Sequence, residues 1–292
     1  MHENKIATFA LCLQFLNLKC MPKISAVIIT YNEERNIERC IKSVLSVVDE
    51  VVVVDSFSTD RTEAICRSLG ATFHQHAFEG YRDQKNYAVQ LASFDYILSL
   101  DADEALSEEL KQSILAAKNT WDFDGYYSNR LNNYCGQWIY HSNWYPDRKI
   151  RLFDRRKGAW GGLNIHETVR MSKDAKVGYL TGDILHWTLT SYEEHVDKAN
   201  RFSTISAKEY HRIGKRSSIL KIVVNSGWHF LKAYVLRLGF LDGYNGFVIS
   251  ALSAYTCFLK YVKLRRLILA DRNGGVKATV LGRKKKKIQI AS

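Results

Sequence analysis

The stretch from Tyr96 to Glu104 reads YILSLDADE, an apolar run that ends in two aspartates separated by one residue. Side chains two positions apart in an extended segment point to the same side, so Asp101 and Asp103 leave the predicted strand together. Two such carboxylates are hard oxygen ligands that suit a Mg²⁺ or Mn²⁺ ion also held by substrate phosphates. An acidic turn after a strand is common in proteins without a metal site, so the sequence before Tyr96 has to show whether such a site is present.

Strands and helices alternate along the chain before this stretch. Nearly continuous apolar runs predict buried parallel strands, and apolar residues at helical spacing predict the helices between them. Gly70 is placed to end one helix and Ser107 to cap another. The alternation predicts an α/β fold whose parallel sheet carries helices on both faces. The predicted strands are 24–30, 50–55, 71–76 and 96–100, and the predicted helices are 37–48, 61–69, 81–92 and 108–118.

Polar residues follow three of these strands. Ligands on such a sheet bind beyond the carboxyl ends of the strands, so these residues are expected on one rim. A tyrosine there can stack on a nucleotide base, and an aspartate can accept a hydrogen bond from a base N–H. Neither G-x-G-x-x-G nor G-x-x-x-x-G-K-[ST] follows the first strand, which excludes the usual dinucleotide and P-loop sites. The rim residues are Thr30, Tyr31, Asn32, Asp55, Ser56, Asp101, Ala102 and Asp103.

The rest of the chain has a different character. Residues 121–187 are rich in aromatic and polar residues with short strand-like pieces, a composition that suits either sugar binding or an ordinary β-structure core. From Tyr192 onward the pattern is helical. The uncharged stretch Gly243–Leu259 is at the lower edge of the length that spans a bilayer, so an interfacial or partner-packed helix is predicted.

Composition limits the partners and the compartment. The 292-residue chain has a formal net charge of +12, which fits a nucleotide, an acidic membrane surface or nucleic acid. Its six cysteines include no CxxC pair and are expected to be free thiols in a reducing compartment. No secretory signal is recognised at the start. We therefore expect a cytoplasmic protein, peripheral on the inner face of the cytoplasmic membrane.

Taken together, the chain resembles family 2 glycosyltransferases of the GT-A fold. The segments that carry the resemblance are AVIITYNEERNIERCIKSV, VVVVDSFSTDRTEAI and KNYAVQLASFDYILSLDADE, in this order within residues 22–120. A later stretch, WYPDRKIRLFDRRKGAWGGLNIHETV, is similar to the branch that includes bacterial lipopolysaccharide core glucosyltransferases. The resemblance implies a Rossmann-like, mixed and mainly parallel sheet flanked by helices, with a C-terminal helical appendage.

The resemblance and the residue pattern together divide the chain into segments, of which the N-terminal extension and the basic tail lie outside the resemblance. Residues 1–20 would be an N-terminal extension and 21–190 the catalytic domain. Within that domain, 21–120 would bind the nucleotide-sugar and 121–190 would face the acceptor. Residues 191–270 would form a helical region on a membrane surface or against a partner, including a second copy of the chain, and 271–292 a basic tail.

The resemblance implies roles for individual residues. The donor would be a nucleotide-sugar, most simply UDP-linked, with its base read by Asp55 and its diphosphate met by Lys85. Asp103 would be the main ligand of a divalent Mn²⁺ or Mg²⁺ ion, and Asp101 would face the ribose or the metal. Many members have Asp-Asp where this chain has Asp55-Ser56, so one acidic contact is absent. The other expected donor contacts are Thr30, Tyr31, Asn32, Glu33 and Ala102.

The acceptor side is less defined by the sequence. The acceptor hydroxyl needs a general base, and the resemblance favours Glu167, with Asp147 as the alternative. A single displacement by that hydroxyl would invert the anomeric centre. Donor phosphate or an anionic acceptor, a saccharide or glycolipid, would contact Arg148, Arg151 and His166.

Two other functions are compatible with parts of the pattern. A nucleotidyltransferase that makes a nucleotide-sugar shares this type of sheet, but it usually has a glycine-rich basic loop where this chain has Thr30-Tyr31-Asn32. A nucleic-acid-binding protein would fit the net charge and the basic tail, but no reader motif is recognised, so no specific nucleic acid is expected.

Overall fold

The chain forms two compact units in a computed structural model that describes residues 21–162 and 167–272. The first unit contains the residues up to Asn133 together with Trp144–Thr188, and the second contains Tyr134–Asn143 together with the residues from Leu189 onward. The predicted N-terminal extension, nearly all of the predicted basic tail, and His166 lie outside the described residues.

The strands and helices follow the alternation that the sequence predicts. The strands are β1 Ile24–Thr30, β2 Glu50–Asp55, β3 Thr72–Gln75, β4 Tyr96–Asp101, β5 Glu104–Leu106, β6 Gly125–Tyr134, β7 Gln137–Ile139, β8 Asp147–Asp154, β9 Gly158–Gly161, β10 Thr168–Met171 and β11 Val177–Leu189. The helices are α1 Ile37–Val44, α2 Thr62–Ser68, α3 Tyr81–Leu91, α4 Glu108–Thr120, α5 Tyr192–Arg212, α6 Ile219–Leu231 and α7 Gly243–Arg272.

The main sheet is parallel on one side and antiparallel on the other. Its order is β3-β2-β1-β4-β8-β6-β11-β5. β1 pairs in parallel with β2 and β4, and β2 pairs in parallel with β3, whereas β8 runs antiparallel to both β4 and β6. β9 and β10 form a separate antiparallel pair. The mixed sheet places the carboxyl ends of β1, β2 and β4 side by side, where ligands bind on such folds.

The parallel strands are buried because helices cover both of their faces. On one face, α1 contributes Ile37, Cys40, Ile41 and Val44, all completely buried. The helix ends at Val44, short of the predicted end at residue 48, and the next residue, Leu45, is exposed. Each large apolar side chain buried in this way contributes about 1.5–3 kcal/mol to stability.

Two predicted helix ends are confirmed by the backbone. Gly70 follows α2 with a φ of +77°, a conformation that a side chain would strain. Ser107 precedes α4, and its hydroxyl accepts a hydrogen bond of 3.2 Å from the amide of Leu110. The short strand β5 between Asp103 and Ser107 was not predicted, because three residues carry too little periodicity to be recognised.

The second unit is built from α5, α6 and α7. The α5 and α7 helices run in the same direction, with Tyr192 contacting Asn245 near their starts and His211 contacting Asp271 near their ends. The α6 helix runs antiparallel to α7, and near its C-terminal end Phe230 packs edge-on against Phe247.

Candidate active site

A cluster of buried charges lies at the carboxyl end of β4. The ammonium group of Lys85 lies 2.9 Å from Asp101, and the guanidinium of Arg151 donates to Asp101 at 3.2 Å and to Glu104 at 2.7 Å. Lys85, Arg151 and Glu104 are almost completely buried. Charges that are removed from water must be paired, and this cluster pairs them across α3, β4, β5 and β8.

The cations of this cluster keep Asp101 ionised. Burial by itself raises the pKa of Asp101, but the positive charges of Lys85 and Arg151 outweigh it and hold the pKa well below its usual range. Burial similarly works against the charge of Arg151, but Glu104 and Asp101 raise its pKa above the ordinary value. Asp101 and Arg151 are therefore both charged at neutral pH.

The predicted base Glu167 belongs to this cluster. Its carboxylate lies 3.1 Å from the ammonium group of Lys85, so one lysine bridges Glu167 and Asp101. The alternative base, Asp147, is held by Arg130 at 2.8 Å and Lys149 at 2.9 Å and has no direct contact with Asp101 among the described residues. The structure thus brings Glu167, rather than Asp147, to the end of β4.

Asp103 faces a histidine that sequence reasoning missed. Nε2 of His186 lies 3.2 Å from Oδ2 of Asp103, and Nδ1 of His186 lies 2.6 Å from Oδ1 of Asn132. The amide nitrogen of Asn132 donates to the carbonyl of Trp144 at 3.1 Å, so its oxygen is the atom that faces the ring. An amide oxygen only accepts, so Nδ1 of His186 carries a proton. His186 is distant in sequence, and no motif marks it.

This arrangement fits a divalent ion. When Nδ1 carries the only proton of the ring, the lone pair of Nε2 faces Oδ2 of Asp103, and both atoms could then bind one ion. Two ligands about 2.1 Å from one ion and at right angles to each other are about 3 Å apart, close to the spacing seen here. Within residues 21–162 and 167–272, no set of three or more His, Cys, Asp or Glu side chains forms a complete metal site. Donor phosphates would have to supply the remaining ligands.

The loops after β1 and β2 are joined by hydrogen bonds. The amide of Asn32 donates to the hydroxyl of Ser58 at 2.7 Å, and the amide of Thr59 donates to the side-chain oxygen of Asn32 at 2.8 Å. Two aromatic rings stand exposed on these loops, those of Tyr31 and Phe57. Phe57 was not singled out from the sequence, yet its backbone φ of +62° places it at the turn.

Asp55 is completely buried beneath these loops. One of its carboxylate oxygens accepts from the amide of Ser58 at 2.7 Å, and the other accepts from the Ser58 hydroxyl. Asp55 therefore orders the loop from Ser56 to Thr59. A contact between Asp55 and a base requires Ser58 to give up its place, so the predicted reading role stays a prediction.

The other rim residues have different environments. Thr30 is buried, and its hydroxyl has no hydrogen-bond partner among the described residues. The carboxylate of Glu33 accepts a hydrogen bond of 2.7 Å from the side-chain amide of Asn36. Burial raises the pKa of Glu33, with a smaller contribution from the nearby charge of Asp103. Ala102 is buried, and its amide donates to Ile29 at 3.2 Å.

The predicted acceptor cations separate in the structure. Arg148 is exposed, with its guanidinium 5.7 Å from the ring centre of Tyr179. Arg151, three residues later on the same strand, is buried beneath the site and paired with Asp101 and Glu104. A direct acceptor contact is therefore open to Arg148, whereas Arg151 chiefly positions the carboxylates.

A groove of about 530 Å³ lies beside α1 in the first unit. The guanidinium of Arg39 covers the ring of Trp187 at 3.3 Å from its centre, and its Nε has no hydrogen-bond partner in the described part of the chain. The amide of Trp187 donates to the carbonyl of Asp103 at 3.0 Å, which ties this groove to the predicted metal ligand. The remaining lining includes the cations Arg35, Lys42 and Lys111 and the carboxylate of Glu38, which pairs with Lys42 at 2.6 Å.

Comparisons with known proteins identify the family. Residues 25–175 match the family described as Glycosyl transferase family 2. An uncharacterised glycosyltransferase of Rickettsia typhi is 37% identical over 87% of this chain and 90% of its own length. The lipopolysaccharide core biosynthesis glycosyltransferase LpsC of Rhizobium meliloti is 30% identical over 84% and 93%.

Among solved structures, glucosyl-3-phosphoglycerate synthase of Mycobacterium tuberculosis, crystallised with Mn²⁺ and UDP, is 23% identical. It has a TM-score of 0.34 and covers 39% of this chain and 46% of that one. The family match extends over half of the chain, and the curated relatives extend over most of it. The chain belongs to glycosyl transferase family 2.

Proposed function

We propose that this glycosyltransferase is a metal-dependent inverting enzyme that moves a sugar, glucose in the simplest case, from a UDP-linked donor. The acceptor is a saccharide or glycolipid of the lipopolysaccharide-core type, a class supported by the similarity to LpsC. The observation that carries the proposal is the pair formed by Nε2 of His186 and Oδ2 of Asp103, two atoms of metal-ligand type that lie 3.2 Å apart next to a buried charge cluster.

Asp103 and His186 would hold the divalent ion together with the donor diphosphate. The bound ion supplies positive charge where negative charge builds up on the leaving diphosphate. Lys85 lies on the same side of the site and adds its own charge, which its contacts with Asp101 and Glu167 hold in place. Asn132 fixes the tautomer of His186 through its side-chain oxygen.

Glu167 would accept the proton of the attacking hydroxyl. As that hydroxyl bonds to the anomeric carbon, the bond from this carbon to the diphosphate oxygen breaks, and the electron pair leaves with the nucleotide. One displacement of this kind inverts the anomeric centre and gives a β-linkage from an α-linked donor. Glu167 is favoured over Asp147 because only Glu167 shares a cation with Asp101.

The donor base would lie on the loops after β1 and β2. The exposed rings of Tyr31 and Phe57 offer stacking surfaces, and Asn32 ties the two loops into one surface. Asp55 would read a uracil N–H once Ser58 yields its hydrogen bonds. The groove with Arg35 and the uncommitted Nε of Arg39 would take an anionic group of the acceptor.

A donor panel tests this proposal. Purified protein is incubated with Mn²⁺ and with UDP-, GDP- and ADP-sugars, and the released nucleoside diphosphate is measured. We expect release from a UDP-sugar only, and none in excess EDTA. Equal turnover of all three donors would contradict the uracil assignment, and full activity in EDTA would contradict the metal.

Substitutions at the metal ligands sharpen the same test. We expect Asp103→Ala to abolish transfer and His186→Gln to weaken Mn²⁺ binding, measured by electron paramagnetic resonance with UDP present, by about 10- to 100-fold. Asp95→Ala is the matched control, because Asp95 precedes β4 at its other end and pairs with Arg155 instead. Wild-type Mn²⁺ affinity in Asp103→Ala would disprove the assignment even if activity were lost.

A further inference from the structure

One face of α6 is apolar and exposed. The exposed side chains recur one and four residues apart, which places them on the same side of the helix. Leu220 is 73% exposed and Ile219 is 67% exposed, values that are high for side chains of this type. The same face continues through Val223, Val224, Trp228 and Leu231. The opposite side of α6 contains the buried Ile222, so α6 turns an apolar stripe to solvent in addition to the one it buries.

The turn that follows α6 extends this apolar face. Leu236, Phe240 and Leu241 are exposed in this turn, and Tyr244 is exposed at the start of α7. The turn is nevertheless held firmly, because the carboxylate of Asp242 accepts hydrogen bonds from the amides of Tyr140 and His141 at 3.1 and 3.0 Å. We call the exposed apolar residues of 219–244 the apolar face. Its exposure is a property of an ordered segment, and apolar surface of this extent marks an interaction site.

The charges around the apolar face have one sign. The sequence from Ile213 to Leu241 contains no aspartate or glutamate. The next acidic residue, Asp242, is buried and used by the turn. Five cations surround the apolar residues, and all of them are exposed: Lys215, Arg216, Lys221, Lys232 and Arg237. Along residues 213–241 every Lys, Arg, Asp or Glu side chain is a cation, and an apolar surface with such a charge pattern complements an anionic lipid surface.

The packing of α7 argues against a membrane-spanning arrangement. In the described part of the chain, one helix is long and apolar enough to cross a bilayer, Gly239–Asp271. That helix packs along α5, where Lys263 donates to the carbonyl of Asn200 at 2.8 Å. The α5 helix carries charged residues from Glu193 to Arg212, so a spanning α7 would draw these charges into hydrocarbon.

We propose that the second unit docks on an anionic bilayer through the apolar face, with α6 lying in the plane of the interface and α7 outside the hydrocarbon. Trp228 and Phe240 sit at the level of the lipid headgroups, and the five cations contact anionic lipids. Each cation near such a surface is worth roughly a two- to fivefold gain in affinity. This attachment would be peripheral, on the inner face of the cytoplasmic membrane, where anionic lipids are enriched.

Vesicle binding by the full chain tests this proposal. Phosphatidylcholine vesicles are compared with vesicles of equal parts phosphatidylcholine and phosphatidylglycerol. We expect binding to the anionic vesicles only, weakened at 1 M salt, where the Debye length is about 3 Å. Dibrominated lipids should quench the fluorescence of wild type, and this quenching should fall in Trp228→Phe. The absence of binding at low salt, or binding without quenching of the Trp228 fluorescence by the brominated lipids, would overturn the proposal.

Matched variants separate the apolar face from other sources of attraction. We expect Leu220→Glu with Val224→Glu to lower vesicle affinity roughly tenfold or more, because two apolar side chains no longer enter the interface. Val196→Glu, which changes an exposed apolar residue on α5, should leave the affinity unchanged. A variant with serine in place of Lys284–Lys287 should still bind anionic vesicles, which would show that vesicle binding does not depend on these lysines. Loss of binding in that chain alone would overturn the assignment.

The same variants distinguish the other possible occupants. If a second copy covers the apolar face, Leu220→Glu with Val224→Glu will change the mass measured by light scattering and leave vesicle binding unaltered. If α7 spans the bilayer, protein bound to vesicles will not be released by high salt and an excess of fresh vesicles. Either result would contradict the proposed surface attachment.

Discussion

The two units of this chain depart from ordinary globular packing in opposite ways. The first unit buries charges, with Glu104, Arg151 and Lys85 nearly inaccessible to water around Asp101. The second unit exposes apolar side chains, among which Leu220 is 73% accessible. Both arrangements cost free energy in a protein that stands alone in water. Each is therefore best explained by a ligand: a charged one for the first unit and an apolar one for the second.

The difference shows how to distinguish a reactive site from a docking surface. Buried charges hold a few atoms at fixed distances, as Lys85 does between Asp101 and Glu167, and such precision serves chemistry. The apolar face has no directional contacts of this kind, and its affinity depends on area and net charge. Substitutions should therefore act sharply in the first unit and gradually in the second.

The largest effect that we expect from a subtle change is at Glu167. Glu167→Gln preserves size and hydrogen bonding but cannot accept a proton. The catalytic rate should fall on the order of 10²–10⁴-fold, with donor affinity nearly unchanged. Steady-state kinetics with calorimetry of UDP binding measures both quantities.

Asp147→Asn provides the comparison for Glu167. Asp147 is also a partly exposed carboxylate beside cations, but its partners are Arg130 and Lys149. We expect less than a tenfold change in rate, since no chemistry is assigned to it. If Asp147→Asn shows the large loss and Glu167→Gln does not, the two roles must be exchanged.

The next effect concerns stability. Arg151→Met should lower the free energy of unfolding of the first unit by about 3–5 kcal/mol, because Glu104 and Asp101 lose a buried partner. Arg148→Met, on the same strand but exposed, should change it by less than about 0.5 kcal/mol. Urea denaturation measures both variants.

A double substitution tests the cause of that loss. Adding Glu104→Leu to Arg151→Met removes a buried carboxylate whose remaining cation, Arg130, lies 3.4 Å away, and should recover part of the stability. A purely additive result would mean that the arginine acts through packing, for example against Trp160, whose ring centre is 5.1 Å away.

The sequence was sufficient for the fold of the first unit because its signals are local. Apolar runs identified β1, β2 and β4, Ser107 and Gly70 identified helix ends, and the membership of family 2 with its GT-A fold is confirmed. The DADE motif placed Asp101 and Asp103 at the end of a strand, where the structure has them in or beside β4.

The features that the sequence did not predict depend on contacts between residues that are distant in the chain. His186 meets Asp103 only because β11 crosses the sheet, and nothing in the neighbouring sequence distinguishes it from a core histidine. The burial of Asp55 and Arg151 depends on which loops and strands cover them. The segment Tyr134–Asn143 was assigned to the acceptor-side half, yet it clusters with the second unit, which no composition shift announces.

The smallest predicted effect separates the two units by their response to acid. Burial, with a smaller contribution from Lys198, lowers the pKa of His195 to about 4, and its ring contacts the hydroxyl of Tyr134 at 2.9 Å. In the unfolded chain a histidine has a pKa of about 6.5, so between pH 6.5 and 4 the unfolded state binds a proton that the folded state does not. The second unit therefore loses stability as the pH falls, by about 2 kcal/mol at pH 5.

The same loss is not expected in the first unit, because the cations beside Asp101 hold the pKa of its carboxyl well below this range and the carboxylate stays ionised. Hydrogen exchange followed by mass spectrometry, corrected for the intrinsic pH dependence, reports both units in one sample. Protection of α5 should fall between pH 7 and pH 5 while that of β1 and β4 is maintained. His195→Gln, which stays neutral, should remove most of the decrease. An equal loss of protection in both units, or an unchanged pH response in His195→Gln, would show that the acid sensitivity has another origin.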